Sequence, residues 1–297
     1  MNEPRTSVPF FLVDVFASAP LSGNPLSLVP DADELSESQM RSIAREFNQS
    51  ETTFLLRPRL PGASFRLRSF TPIGAEVLGA GHNALGAWLW LSASGRLPAS
   101  RDALAQEIGD QVLPVQVTSE ADGSAVVSMN QSPPRFGGTV SDRAELADAL
   151  GLSVQDLADD PAQVVDTGAG HLLVPVRDRA AVDRAEPDAS RLAAVLHKVD
   201  GEGCYLYSLD PVDPRTAVAY TRFFNPSMGI SEDPATGTAA GPLAALLLAG
   251  GKVIDGTWGI EQGRALGRPS LIRVTIDGQD VSVSGSGLVV AEGTLFL

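Results

Sequence analysis

Two glycine-rich bends in this chain carry polar residues directly before a long apolar run. The first bend holds Gly81 and His82, and the second holds Asp233, Gly237 and Thr238. Each apolar run predicts a buried helix, and the start of a helix presents free backbone N–H groups and the positive end of the helix dipole. Such a helix start binds anions. If the two helix starts face each other, they form one site for a small anionic substrate.

Each polar residue at the bends also has a structural interpretation. Asp233 has the spacing of a helix cap, and Thr238 has that of a capping hydroxyl. His82 lies at a helix start, where it either caps the helix or binds substrate. That position lowers the pKa of His82 and favours the neutral ring, which is a useful hydrogen-bond partner near pH 7. The spacing alone leaves both interpretations open for all three residues.

The elements that must position these residues are repeated along the chain. A Phe-x-Pro sequence precedes each bend, at Phe70 and Phe224, about half a chain length apart. A length of 297 residues predicts about two domains. Turn-forming residues cluster at 132–138, which predicts the linker between the two halves.

Helices are predicted at 37–47, with Ser36 as the N-cap, at 189–198 and after each bend. Pro242 is expected in the first turn of the helix after the second bend, where a proline costs little stability. That helix therefore starts near residue 237 or 238, and by the same spacing the helix of the first bend starts near 81 or 82. Glu76 and Asp233 then lie in the bends before the helix starts.

Strands outnumber helices, and short turns join most of them, which favours antiparallel sheets. A helix that is apolar all round is surrounded by other elements. The predicted fold class is α+β, with two pseudo-symmetric domains in which a curved, mostly antiparallel sheet encloses a central helix. The predicted strands are 10–16, 26–29, 52–56, 65–70, 112–117, 125–129, 163–166, 172–176, 204–209, 217–224, 258–261, 271–276, 281–284 and 288–296.

The composition limits the classes of partner. An apolar content of 43% and a charged content of 20% are typical of a globular protein with a sizeable core. A net charge of −14 without a basic cluster argues against nucleic acid and anionic membranes. The one cysteine, Cys204, cannot form an internal disulfide and is expected in the core. No signal peptide or membrane-spanning run is recognised, so a cytoplasmic location is expected.

The sequence lacks the usual motifs of metal-binding and cofactor-binding proteins. No cluster of His, Cys, Asp and Glu has zinc spacing, and no dinucleotide or phosphate-binding loop occurs. The nucleophile sequence Gly-x-Ser-x-Gly is missing as well. We therefore expect no metal and no cofactor.

The sequence resembles the PhzF family, the phenazine-biosynthesis isomerases and their relatives. The resemblance spans almost the whole chain, and its most specific motif is Glu-Asp-Pro-Ala-Thr-Gly at 232–237. The other matching segments are 13–16, 23–25, 48–54, 70–76, 81–82, 166–168, 171–174, 238–239, 262–263 and 268–270.

The resemblance implies a diaminopimelate epimerase-like fold with the site in a cleft between two domains. In that fold the final strand returns to the first domain. The implied domains are residues 1–130 with 288–297, and residues 131–287. Family members are commonly homodimers, so a homodimer is expected here.

The resemblance also assigns roles to individual residues. It implies that Glu51 takes a proton from one carbon of a cyclic diene acid and returns it to another carbon on the same face. It places His82 and Asp233 beside the hydroxyl or amino groups of the substrate. The other implied substrate-binding residues are Asn24, Gly81, Gly237 and Thr238. Glu51 itself, judged without the family, has the sequence context of a solvated residue at the end of a helix.

Related epimerases use two cysteines, one at each helix start. This chain has no thiol at either bend, which excludes a two-thiol racemase. Asn83 and Thr238 depart from the usual residues of the family, which suggests a substrate other than the phenazine precursor. The expected function is a cofactor-independent isomerase of a small unsaturated cyclic or amino acid in secondary metabolism. Alternatives are an epimerase or other proton-transfer enzyme using Glu51, and a non-catalytic ligand-binding or scaffolding protein.

Overall fold

A computed structural model describes residues 6–100, 103–121 and 123–297 of the chain. The chain divides into two compact units. Unit 1 comprises Met1–Met129 and Gly285–Leu297, and unit 2 comprises Asn130–Ser284. Both units are α+β, as predicted, and each is described here by itself.

Numbered along the whole chain, the elements of unit 1 are β1 (Ser7–Val15), β2 (Asn24–Val29), α1 (Glu37–Phe47), β3 (Thr52–Leu56), β4 (Phe65–Phe70), β5 (Glu76–Val77), α2 (His82–Ala93), β6 (Ala105–Ile108), β7 (Gln111–Pro114), β8 (Gln116–Ser119), β9 (Ala125–Asn130) and β19 (Gly287–Phe296). They include a mixed sheet in the order β19-β1-β2-β3-β4-β6-β7, with β5 paired to β4. The pairs β2–β3 and β4–β6 are parallel. Strands β8 and β9 pair antiparallel.

Helix α1 has the bounds predicted from its apolar spacing. Ser36 and Gln39 form a capping box at its start. Asn48 ends the helix in the left-handed conformation, with φ 51°. The turn after Asn48 leads directly into β3 and places Glu51 immediately before that strand.

Helix α2 is buried on every side and packs against the sheet of unit 1. Gly86 permits a close approach, because a Cβ atom there would lie 2.5 Å from Leu26 Cδ2 and 2.8 Å from Val15 Cγ2. The central helix predicted for this half is confirmed, and it begins at His82.

The elements of unit 2 are β10 (Arg135–Thr139), α3 (Arg143–Ala149), β11 (Gln163–Asp166), β12 (Gly170–Pro175), α4 (Arg179–Arg184), α5 (Ala189–Lys198), β13 (Gly203–Ser208), β14 (Ala219–Asn225), β15 (Ile230–Asp233), α6 (Gly237–Ala249), β16 (Gly256–Gln262), β17 (Ser270–Asp277) and β18 (Asp280–Gly285). They include a second mixed sheet in the order β10-β11-β12-β13-β14-β16-β17-β18, with β15 paired to β14. Helix α6 is the buried central helix of this unit and begins at Gly237, as predicted.

Two local expectations are wrong. Pro242 is the sixth residue of α6 rather than part of its first turn, so the Thr238 carbonyl lacks its usual N–H partner. The segment 132–138 is not simply a linker, since it includes most of β10, which pairs with β11. That strand lies at the edge of the sheet and is exposed along its length, so its glycines cost little packing.

A buried glutamate binds a loop in the same way in each unit. Glu107 on β6 accepts hydrogen bonds from the backbone N–H groups of Arg59 and Leu60, at 2.5 and 3.0 Å. Glu261 on β16 accepts from the N–H groups of Val212 and Asp213, at 2.7 and 3.0 Å. The first loop joins β3 to β4, and the second joins β13 to β14. The duplication therefore includes the side chains that hold these loops.

Cys204 lies in the middle of the sheet of unit 2, on β13, and is fully buried. Burial raises the pKa of its thiol to about 12. Among the described residues, no helix is both long enough and apolar enough to cross a membrane.

Candidate active site

Glu51 lies in the turn between α1 and β3, and its side chain is only 18% exposed. Its Oε2 atom is 3.8 Å from Nδ1 of His82. The carboxyl group is thus held against the start of α2 instead of extending into solvent. A partly buried carboxyl group beside a helix start suits proton transfer to and from a bound substrate.

His82 is the first residue of α2, and burial lowers its pKa to about 4. The ring is therefore neutral near pH 7 and does not form an ion pair with Glu51. Its Nε2 atom lies 3.4 Å from Oγ of Ser50, which in turn lies 3.4 Å from Oδ1 of Asn24. Unit 1 therefore brings together three of the predicted site residues, namely Asn24, Glu51 and His82.

The N–H of Gly81 already has an acceptor in this structure. It donates to Oδ1 of Asn83 at 2.7 Å, inside the bend itself. The amide group of Asn83 also donates to Ser69 Oγ and to the Gly79 carbonyl. Asn83 is buried and closes the bend, so it is not a free specificity residue. Within the described ranges, the donors without an acceptor at this helix start are the N–H groups of His82 and Asn83.

In unit 2, Asp233 ends β15 and is buried. Its Oδ2 atom accepts a hydrogen bond from Oγ1 of Thr236 at 2.5 Å. Thr236 is the N-cap residue of α6, and its own side chain does not cap the helix. The N-cap position considered for Asp233 from its spacing is therefore occupied by Thr236.

The amide group of Gln262 holds this bend from the neighbouring strand β16. Its Nε2 donates to the Asp233 carbonyl and to Thr236 Oγ1, and its Oε1 accepts from Thr236 N–H and from Tyr205 OH. Gln262 is fully buried. The sequence marks Gln262 only as part of a matching segment, because its partners lie far away along the chain.

Gly237 and Thr238 form the first turn of α6. In the part of the chain that the structure describes, their backbone N–H groups meet no acceptor. The hydroxyl of Thr238 does not cap the helix; its Oγ1 atom lies 3.3 Å from Nε2 of His171. This turn therefore presents two N–H donors and a hydroxyl, which suits a carboxylate. His171 was not predicted as a site residue.

Glu76 is not the counterpart of Asp233. The strand pairing opposes Phe70 to Glu76, but Phe223 to Asp233. Glu76 instead forms a two-bond ion pair with Arg68, at 2.7 Å for each bond. Arg222 and Glu232 form the equivalent pair in unit 2. These pairs hold β5 and β15 in place before the two helix starts.

No group of three or more potential metal-binding side chains occurs in residues 6–100, 103–121 and 123–297. The polar groups at the two helix starts are carboxyl, imidazole, hydroxyl and backbone N–H groups.

The comparisons with known proteins agree over the full length. The PhzC-PhzF family, described as phenazine biosynthesis-like protein, matches residues 13–293. The trans-2,3-dihydro-3-hydroxyanthranilate isomerase of Pseudomonas chlororaphis is 36% identical over 97% of this chain and 99% of its own. The crystal structure of a PhzF-family protein from Bacillus anthracis has a TM-score of 0.90 at 29% identity, covering 98% and 100% of the two chains. A predicted epimerase from Pseudomonas aeruginosa has a TM-score of 0.82 at 34% identity, covering 97% and 99%.

The chain belongs to the phenazine biosynthesis-like family. Its relatives over the full length include named isomerases, and this protein is an isomerase. The family resemblance and the α+β fold expected from the sequence are both confirmed.

Proposed function

We propose that the protein is a cofactor-independent isomerase that moves a proton between two carbons of a small unsaturated cyclic acid. The observation that carries the proposal is the placement of Glu51, which is mostly buried and 3.8 Å from a neutral imidazole. The relative from P. chlororaphis is named for trans-2,3-dihydro-3-hydroxyanthranilate. That compound, or one with the same carboxylate, amine and hydroxyl groups, is the proposed substrate.

In the proposed reaction, the ionised carboxylate of Glu51 takes a proton from an sp³ carbon next to a double bond. The electron pair of the broken C–H bond forms a new double bond, and the π electrons shift along the ring. The same carboxyl group then returns its proton to the carbon at the far end of that system. Atoms and electrons balance within the substrate, so no co-reactant is required.

Neutral His82 supports this step without competing for the proton. With a pKa of about 4, its ring stays uncharged near pH 7 and can hydrogen-bond to a substrate amine or hydroxyl. Asn24, linked to His82 through Ser50, is proposed to bind the same polar edge.

The helix start of unit 2 is proposed to bind a small acid through its carboxylate. The N–H groups of Gly237 and Thr238 and the Thr238 hydroxyl would bind the carboxylate. Asp233 would accept a hydrogen bond from a substrate amine or hydroxyl. Gly81 would contribute only backbone shape, because its N–H already binds Asn83.

Other features expected from the sequence stay predictions. They are the domain boundaries at residues 131 and 288, a homodimer, a cytoplasmic location and a role in secondary metabolism. The epimerase alternative also stays open, since the structural relative from P. aeruginosa is described as a predicted epimerase.

Reaction in D₂O tests the proposal. We expect the protein to convert trans-2,3-dihydro-3-hydroxyanthranilate to an isomer with the double bonds moved. The newly protonated carbon should retain some protium from the substrate, because one carboxyl group carries the proton. Deuterium at the original carbon with inverted configuration would instead indicate an epimerase. If neither product nor deuterium exchange is seen, the proposal is contradicted, and the protein is an isomerase of another kind of substrate.

A further inference from the structure

His171 lies on β12 and is only 3% exposed. The proposed reaction makes no use of it. Burial lowers the pKa of His171 to about 4, although the nearby Asp166 opposes the shift. The ring is therefore neutral near pH 7 and carries one proton, on either Nδ1 or Nε2.

The surroundings of the ring indicate which nitrogen carries that proton. The Nδ1 atom is buried and has no hydrogen-bond partner among the described residues. It faces Gly203, where an added Cβ atom would lie 3.3 Å away. Phe223 packs at right angles to the ring, with 5.0 Å between centroids. Buried N–H groups without an acceptor are rarer than acceptors without a donor, so the proton belongs on Nε2.

The partner of Nε2 is Oγ1 of Thr238, at 3.3 Å. If Nε2 carries the proton, its N–H donates a hydrogen bond to the Thr238 oxygen. The hydroxyl proton of Thr238 must then point away from His171. That proton has no acceptor among the described residues. Thr238 belongs to the first turn of α6, where the N–H groups of Gly237 and Thr238 also meet no acceptor in the described part of the chain.

We propose that His171 is a positioning residue that makes the Thr238 hydroxyl a hydrogen-bond donor to the substrate carboxylate. The proposal rests on the proposed function for the identity of the anion, but the hydrogen-bond direction does not depend on it. His171 does not touch the substrate and transfers no proton. It fixes the direction of one hydrogen bond, so that the first turn of α6 presents three donors to an anion.

The direct test is the protonation site of His171 in the folded, full-length protein. Long-range ¹H–¹⁵N NMR at pH 7 distinguishes a protonated ring nitrogen from an unprotonated one. The chain has three histidines, and His171→Gln would assign the signal. We expect a protonated Nε2 and an unprotonated Nδ1. The opposite tautomer, or a doubly protonated ring, would overturn the proposal.

A second test uses a mutant cycle with His171→Phe and Thr238→Val, and the KM for the carboxylate substrate as the readout. A hydrogen bond to a charged group corresponds to about a tenfold or larger change, which is expected for Thr238→Val. His171→Phe should raise KM in the wild-type background and add nothing once Thr238→Val is present. His171→Gln, which keeps an N–H donor, should recover part of the effect.

The outcomes separate this proposal from the proposed function. Additive effects of the two substitutions would show that His171 does not act through Thr238 and would overturn the proposal. An unchanged KM in Thr238→Val would also overturn the proposal for His171. Turnover by the wild-type protein would still support the proposed function. If wild-type protein shows no turnover, the proposed function fails, and the tautomer alone decides the role of His171.

Discussion

Replacing Glu51 with glutamine should lower kcat by about 10²- to 10⁴-fold, the usual contribution of a general acid–base group. Glutamine keeps the shape of the side chain but cannot accept and return a proton. KM should change little, since the groups proposed to bind the substrate remain. Steady-state kinetics with the substrate, together with loss of deuterium exchange in D₂O, would measure both effects.

Glu46→Gln is the matched control for this substitution. It makes the same chemical change at an exposed position of α1, five residues earlier in the chain. We expect wild-type kinetics and wild-type thermal stability from it. If Glu51→Gln kept wild-type kcat while folding normally, Glu51 would not be the proton-transfer group, although membership of the family would stand.

Glu107→Ala is expected to lower the free energy of unfolding of unit 1 by about 3–5 kcal/mol. The carboxylate is completely buried, lies 3.2 Å from the Arg66 guanidinium, and accepts from two backbone N–H groups. Its removal leaves these donors inside the protein without their acceptor. Urea unfolding followed by tryptophan fluorescence measures the loss, because Trp88 and Trp90 lie in the central helix of this unit.

Arg57→Ala serves as the control for this stability measurement. Arg57 and Asp33 form an ion pair at 3.7 Å in the same unit, the Arg57 side chain is exposed, and such pairs contribute between zero and about 1 kcal/mol. A similar loss in both variants would mean that the buried carboxylate has no special importance.

The stabilising effect of the Glu107 carboxylate should depend on pH in a definite direction. Burial alone would raise the pKa of Glu107, but the hydrogen bonds from Arg59 and Leu60 outweigh it and leave the pKa lowered. A carboxyl group with a lowered pKa in the folded state stabilises the protein above its unfolded pKa. The difference in stability between wild type and Glu107→Ala should therefore shrink as the pH falls below about 4.

Features that depend on neighbouring residues could be predicted from the sequence. The Ser36 cap, the apolar spacing of α1 and the glycine bends gave the bounds of α1 and the starts of α2 and α6. The short helices α3 and α4 were missed. They have six or seven residues, and their capping aspartates, Asp142 and Asp178, resemble ordinary turn residues in the sequence.

Features that depend on distant residues could not be predicted. The amide of Asn83 occupies the Gly81 N–H, and Gln262 binds the Asp233–Thr236 bend from another strand. His171 meets Thr238 only because β12 lies beside the start of α6. Such contacts follow from strand order and register, which residue types alone do not determine.

The buried thiol of Cys204 can report transient opening of the sheet in unit 2. Alkylating reagents attack the thiolate, which a pKa of about 12 and complete burial keep scarce in the native protein. Modification therefore requires β13 to separate from its neighbours β12 and β14. With a single cysteine in 297 residues, the rate of alkylation measures how often this one sheet comes apart while the protein remains otherwise folded.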